Sequence, residues 1–394
     1  MPGYAVTRRQ FLRCASALAA FSVGTQLTGC ASAVAGADGP VEQESRAILD
    51  EGLNWVTKQS AERVCSRIAR AGFNVFIPCV WHGRGTIWPS KLAPWDSHNV
   101  RTQGFDPLGN LLQTAERYRI EVHPWFTVSL RQRDFFPEFY DGGTPTQRFN
   151  VHRELFREFI SSLIIEVAAT YPVHGINLDY MSAGGVSYGS AYCVADYKIK
   201  TGRNLRKDAD RAFVEGIDAP ELLSWQESAV GDITRKVAMG VRGISNKIVL
   251  SVTGDPGHRI LRIEGHDSAK WADDGLIDVL YNMHAEPNPD FATIKAIQAG
   301  MKRPEAMVVG TGNYEEATAS SPVRSRDPVK VSDLVRTARS IQRGNGVCVY
   351  LYSMLNDAQI ETLRTGVFAS LAKPRWLRAP SPLPPQGLRF HHEG

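Results

Sequence analysis

Apolar runs and amphipathic stretches alternate along most of the chain. "SAERVCSRIARAG" carries Val64, Ile68 and Ala71 at helical spacing, with Gly72 where a C-terminal cap belongs. "FDPLGNLLQTAERYRI" opens with Asp106 as N-cap and Pro107 at the first helical position. Further helices are predicted around "VHRELFREFISSLIIEVAATY", over 219–245, and around "SAKWADDG", "DFATIKAIQAGM", "VSDLVRTARSIQRG" and "DAQIETLRTGVFASLA". Eight strand-like segments fall between them: "GLNWV", "NVFIPCVW", "IEVHPWFTV", "HGINLDYM", "KIVLSVTG", "IDVLYNMHA", "AMVVGTGNY" and "VCVYLYSM".

Near-continuous apolar strands separated by amphipathic helices indicate a parallel sheet covered by helices. Eight such units predict an α/β fold, a (β/α)₈ TIM barrel forming a single catalytic domain over 50–372. The alternative is a doubly wound open sheet. That fold normally advertises a glycine-rich first turn, and "GTGNYE" at Gly310 is neither first nor complete.

The chain begins differently. "TRRQFLR" supplies the paired Arg8 and Arg9, "CASALAAFSVG" is a short apolar run, and "LTGC" ends in Cys30. This pattern predicts a twin-arginine signal peptide over 1–29 and lipidation of Cys30, giving an exported lipoprotein anchored in the cell envelope, periplasmic or on the outer face. Residues 30–49 read as a tether and 373–394 as a Pro-rich tail.

Composition changes the picture in two places. Removing the three arginines of 1–29 from the 45 Lys and Arg leaves 42 against 41 Asp and Glu, so the basic excess belongs to the signal. No basic run points to nucleic acid. Cys65, Cys79, Cys193 and Cys348 are widely spaced with no CxxC, which argues against a zinc cluster.

In a barrel, chemistry gathers at the C-terminal ends of the strands. Asn54, Trp81, His82, His123, Trp125, Asn177, Tyr180, Asn282, His284, Tyr314 and Tyr352 fall at those ends and are candidate substrate-binding residues. Asp179 ends the fourth strand on the same face as Asn177. Two carboxylates, polar groups for hydroxyls and flat aromatics for sugar rings together point to glycoside hydrolysis. Asp179 and Glu286 are the candidate catalytic pair; Asp255, in a "GDPG" turn context, is the alternative acid, and Glu315 and Glu316 come third. Neither a metal nor another cofactor is implied.

"FDPLGNLLQTAERYRIEVHPWF" followed by "YPVHGINLDYM", and then in order "YKIKTG", "LSVTG", "WADDGLIDVLYNM" and "VVGTGNY", resembles the bacterial glycosyl-hydrolase-like family 10 over about residues 50–372. The resemblance implies a (β/α)₈ glycoside hydrolase with Asp179 at the family's strand-four acid and His123 and Trp125 facing substrate. The chain departs from the family in running "DYMSAGG" after strand four, with Tyr180 where a second acid is often found. The expected activity is cleavage of a polysaccharide or oligosaccharide of the envelope or surroundings. One alternative is a non-catalytic glycan-binding lipoprotein. Another is a metal-dependent hydrolase using His82, His123 and His284.

Overall fold

A computed structural model describes residues 42–96, 100, 104–132, 135–283, 289–316, 322–343 and 346–374. Eight parallel strands close into a barrel: β1 (Ser45–Asp50), β2 (Val75–Trp81), β3 in two pieces (Glu121–Val122 and Trp125–Thr127), β4 (Gly175–Asp179), β5 (Val249–Gly254), β6 (Val279–Asn282), β7 (Met307–Gly312) and β8 (Gly346–Tyr350). Closure is made by β1, which pairs with β8 through Leu49 and Tyr350 and with β2 through Leu49 and Ile77. The expected TIM barrel is therefore the fold.

The helices lie outside, and their ends follow the local chemistry. Lys58–Ala71 (α1) starts on a capping box between Thr57 and Ser60 and stops at Gly72, whose φ of 92° is the left-handed cap that glycine takes without strain. Pro107–Arg117 (α2) starts where the Asp106 carboxylate accepts the amide of Gly109. Glu154–Thr170 (α3) packs against the long helix Pro220–Ile244, α6 below.

Two cores result. Alternate strand residues such as Ala47, Leu49, Ile77, Cys79, Trp125, Tyr281 and Cys348 fill the barrel. The opposite set, including Ile48, Phe76, Phe126, Ile176 and Leu178, packs under the helices. A third, small core built from Cys193, Tyr197, Leu205 and Trp225 supports an insertion after β4, with the helices Ala191–Thr201 (α4) and Leu205–Ala209 (α5). Among the described residues no helix is long and apolar enough to cross a membrane.

Two expectations are corrected. The first strand is Ser45–Asp50, inside the expected tether, and "GLNWV" is the loop after it, with Trp55 buried in the outer core. The segment reads as polar because Glu44 and Arg46 open it; both are buried, and they pair with each other at 2.5 Å. The eighth strand ends at Tyr350, and Tyr352–Met354 is a 3₁₀ turn. Gly310 of "GTGNYE" lies inside β7, where a Cβ would come 2.0 Å from the Met283 sulfur, so its bareness makes room for a side chain. Arg8, Arg9, Cys30 and the Pro-rich tail beyond Pro374 lie outside the described residues.

Candidate active site

Alternation decides what enters the barrel mouth. Leu49 fills the barrel, so Glu51, two residues on, points into the mouth above it. Asn177 and Asp179 continue the inward face of β4 in the same way, Asn177 pairing in register with Trp125 and Asp179 with Thr127. Beneath them the barrel is filled by Cys79 and Trp125, with Tyr350 packed against them.

Glu51 and Asp179 meet there. Both are half-buried. Burial raises the Asp179 carboxyl to about 7, opposed by the Tyr180 amide, the charge of Arg148 and the Trp125 indole. Burial raises Glu51 to about 8; the Tyr350 hydroxyl, which donates to its carboxylate, opposes this, while the charges of Asp179 and Asp50 add to it. Two acids that hold protons near neutrality at one barrel mouth mark a candidate functional site.

The backbone beside Asp179 is held in an uncommon conformation. Tyr180 has φ 52°, in the left-handed region. Its N–H donates to the Asp179 carboxylate at 2.6 Å, and its carbonyl accepts the Ser129 hydroxyl at 2.7 Å. Tyr180 thus stays at the mouth as expected, under the Arg148 guanidinium 4.8 Å from its ring. Tyr314 also reaches this end, half-buried and edge-on to Tyr350 at 5.9 Å.

Other candidates sit elsewhere. Trp81 turns away from the mouth, because the register between β2 and β3 shifts at Cys79 and Trp81. It is wholly buried against Phe135 and Phe159, and is no open platform for a sugar ring. Trp125 is 1% exposed and packs beneath the acids. Asn54 lies behind the mouth, donating to Asp50 at 2.8 Å. Tyr352 packs outward on Phe76. Asn282 faces outward with Leu280, since Tyr281 and Met283 take the inward positions.

Asn177 is fully buried in the barrel, donating to the Thr253 hydroxyl and accepting from Ser251, both at 2.9 Å. Asp255 accepts the amide of Gly257 within its turn at 3.1 Å. Glu315 pairs with Arg324 across a surface hairpin at 2.9 Å.

His82 and His123 are not brought together. The His82 ring contacts the Glu51 carbonyl at 2.9 Å near the mouth, and burial depresses its basicity to about 4. His123 lies near the opposite end of the barrel, its ring 3.2 Å from the Glu121 carboxylate. A Cβ on Gly175 would come 2.6 Å from that ring, so the glycine admits it to the barrel. Among the described residues no group of three or more His, Cys, Asp and Glu side chains is placed to hold a metal ion. His284 and Glu286 lie outside the described residues.

Glu51 was hidden by the misplaced first strand. The signal was present: "AILDEG" is an apolar run ending in acids, as "INLDY" is.

Comparison with known proteins agrees with this architecture. The model of the family described as Glycosyl hydrolase-like 10 matches residues 49–296. Glycosyl hydrolase DigH of Escherichia coli O6:H1 is 25% identical over 269 residues, 57% of this chain and 57% of that protein. For its counterpart in strain K12 the figures are 25% over 150 residues, 32% and 34%. The chain thus spans little more than half the length of these relatives, or less. Among solved structures, the glycoside hydrolase domain of PgaB (BpsB) from Bordetella bronchiseptica superposes with a TM-score of 0.59 at 15% identity, covering 82% of this chain and 98% of that one. The catalytic domain of β-amylase from Paenibacillus polymyxa gives 0.53 at 10% identity, covering 85% and 100%. At these identities the structural likeness speaks to fold.

Proposed function

The chain belongs to the glycosyl hydrolase-like family 10, and from that premise we propose that it is a glycosidase that cleaves a polysaccharide with Asp179 and Glu51 as its two carboxylates. One observation carries the reading: Glu51 and Asp179, each following an inward-facing position of its strand and each raised towards neutrality, feel one another's charge at the C-terminal end of a (β/α)₈ barrel. Membership of this family, and the likeness to the glycosyl hydrolase DigH, support the reaction class.

The chemistry asks little more of the chain. One carboxyl gives its proton to the glycosidic oxygen as the bond from C1 to that oxygen breaks. The other, ionised, either attacks C1 or takes a proton from the water that does. Water is added across the bond; the acid regains its proton from that water where the other carboxylate is the nucleophile, and both exchange protons with solvent where it is the base. The second carboxylate is assigned to Glu51, Glu286 lying outside the described residues. Tyr180 and Tyr314, both half-buried at this end, would touch the substrate, with Trp125 packed beneath the acids.

The setting proposed is the cell envelope, with export by Arg8 and Arg9 and a lipid anchor at Cys30; its support is the sequence pattern. A Cys30→Ala variant should move the protein from the membrane to the soluble fraction; retention in the membrane would refute the anchor.

The central test is a reducing-end assay on a panel of bacterial and plant polysaccharides with wild type and Asp179→Asn, circular dichroism showing that both fold. New ends from wild type alone support the proposal. Equal activity in both removes Asp179 from the chemistry. Binding without turnover in either favours a glycan-binding protein, which Tyr180, standing where a second acid is often found, would suit.

A further inference from the structure

Two acids at one barrel mouth must do different work, and their surroundings push them apart. The partner of Glu51 is a neutral phenol, Tyr350. The partner on the Asp179 side is a cation, Arg148, contributed by the loop between β3 and α3. Its Nη1 donates to the Ser129 hydroxyl at 3.0 Å, and its guanidinium lies over the Tyr180 ring at 4.8 Å. Gly184 leaves it room: a Cβ there would come 2.3 Å from Nε. Ser129 in turn donates to the Tyr180 carbonyl, so one hydroxyl ties the cation to the residue whose amide holds Asp179.

We infer that Arg148 is a positioning residue that decides which member of the pair gives up its proton first, drawing Asp179 towards ionisation and leaving Glu51 as the acid. The roles assigned to the two states rest on the glycosidase reading; the distribution of protons does not. The other groups around the mouth do not cancel this asymmetry. Asp50 and Asp179 both oppose ionisation of Glu51. Arg84 favours it, but that side chain is committed to Asp96 at 2.7 Å and to Gln132 at 2.6 Å. Beneath the pair, Cys79 stays a neutral thiol because burial pushes it up. Tyr180 is likewise held neutral by burial. Glu264 shares the field of Arg148, and burial raises its carboxyl too. The charge of His258 acts on Glu264 and opposes that rise. Under the glycosidase reading, Asp179 is then the nucleophile or base, and Glu51 gives its proton to the leaving oxygen.

The test is a carboxyl titration by NMR with labelled Asp and Glu, in wild type, Arg148→Met, Arg148→Lys and Tyr350→Phe. Wild type should release the Asp179 proton at lower pH than the Glu51 proton. Arg148→Met should raise the proton affinity of Asp179 about tenfold, one pKa unit, and Arg148→Lys should restore most of it. Tyr350→Phe should move Glu51 and leave Asp179 where it was. The proposal is overturned if Glu51 ionises first in wild type, or if Asp179 titrates alike in wild type and Arg148→Met. Should Arg148→Met fail to fold, the wild-type order and the Tyr350→Phe titration decide. Turnover is read separately. On any glycan that wild type cleaves, the acid limb of kcat/KM should move to higher pH in Arg148→Met and return in Arg148→Lys. Titrations as expected with no glycan cleaved by wild type would leave the proton assignment standing and remove the glycosidase reading.

Discussion

The two ends of this barrel treat buried charge in opposite ways. At the base, Glu44 is 3% exposed and Arg46 1%, and they pair at 2.5 Å. Arg339 closes on the same carboxylate at 2.5 Å, and both arginines lie over Phe368, at 4.7 and 5.3 Å. Each charge meets its opposite, and the cluster fastens β1 to helix Pro328–Ile341 and to the last described residues. At the mouth, carboxylate meets carboxylate: Glu51 feels Asp179 and Asp50. Like charges at a poorly hydrated mouth cost stability. A fold that neutralises acids so thoroughly at one end and leaves them together at the other supports the proposal that the second end is the place of work.

The largest effect separates the ends by activity. Glu51→Gln should lower turnover by roughly 10²–10⁴-fold, the range for loss of a general acid or base. Glu44→Gln should leave turnover per folded molecule unchanged. Glu286→Gln, measured beside them on the same substrate, sharpens the comparison: a larger loss there than in Glu51→Gln would return the second carboxylate to the position expected from the sequence.

Stability should separate the ends the other way. Arg46→Met leaves Glu44 buried with one counter-charge fewer, and breaking a buried pair costs about 3 kcal/mol. Urea unfolding would measure it. If Arg46→Met unfolds at the wild-type midpoint yet loses activity, the base is functional and the contrast drawn here fails.

The pH dependence of stability gives the next effect. Asp50 and Asp179 are raised to about 7 and Glu51 to about 8 in the folded chain. In the unfolded chain such groups titrate near 4. Below that pH both states hold the protons, and nothing is lost. As pH rises from about 4 towards 8, unfolding releases protons and is favoured, so stability falls across this window and levels above it. Asp179→Asn removes one of the three groups, and should recover about 2 kcal/mol between pH 4 and 7. Urea midpoints at stepped pH would show the variant's slope flatter than wild type; parallel slopes would mean that Asp179 ionises as freely folded as unfolded.

The architecture was legible because its signals are local. Apolar strands and striped helices announce themselves, and Asp106 with Pro107, or Gly72, mark helix ends through chemistry that needs no tertiary context. The site was legible only in part. Asp179 and Tyr180 stand at the mouth because β4 is regular to its end. Glu51 was missed because β1 begins with charges whose partners, Arg339 and the carbonyl of Ser370, lie hundreds of residues away, and a paired buried charge looks like a solvated one in sequence. Trp81 was misassigned because a register shift breaks the alternation on which the assignment relied. Position at a strand end is a necessary sign of the site. The direction of the side chain is what decides, and one irregular residue reverses it.

Asn54 puts that distinction to its smallest test. Placed at the end of a strand, it would hold a sugar hydroxyl. In the folded chain it is a loop residue whose amide donates to Asp50 at 2.8 Å, beside the Gly52 amide at 3.2 Å. The second oxygen of that carboxylate is buried with no hydrogen-bond partner, so Asp50 depends on the bonds made to the first. Asn54→Ala should therefore cost about 1 kcal/mol, the net worth of one hydrogen bond, seen as a lower urea midpoint. KM for a cleaved glycan should stay where it is. A raised KM with an unchanged midpoint would put Asn54 back among the residues that touch substrate, and would mean that the first loop bends over the mouth when a glycan binds.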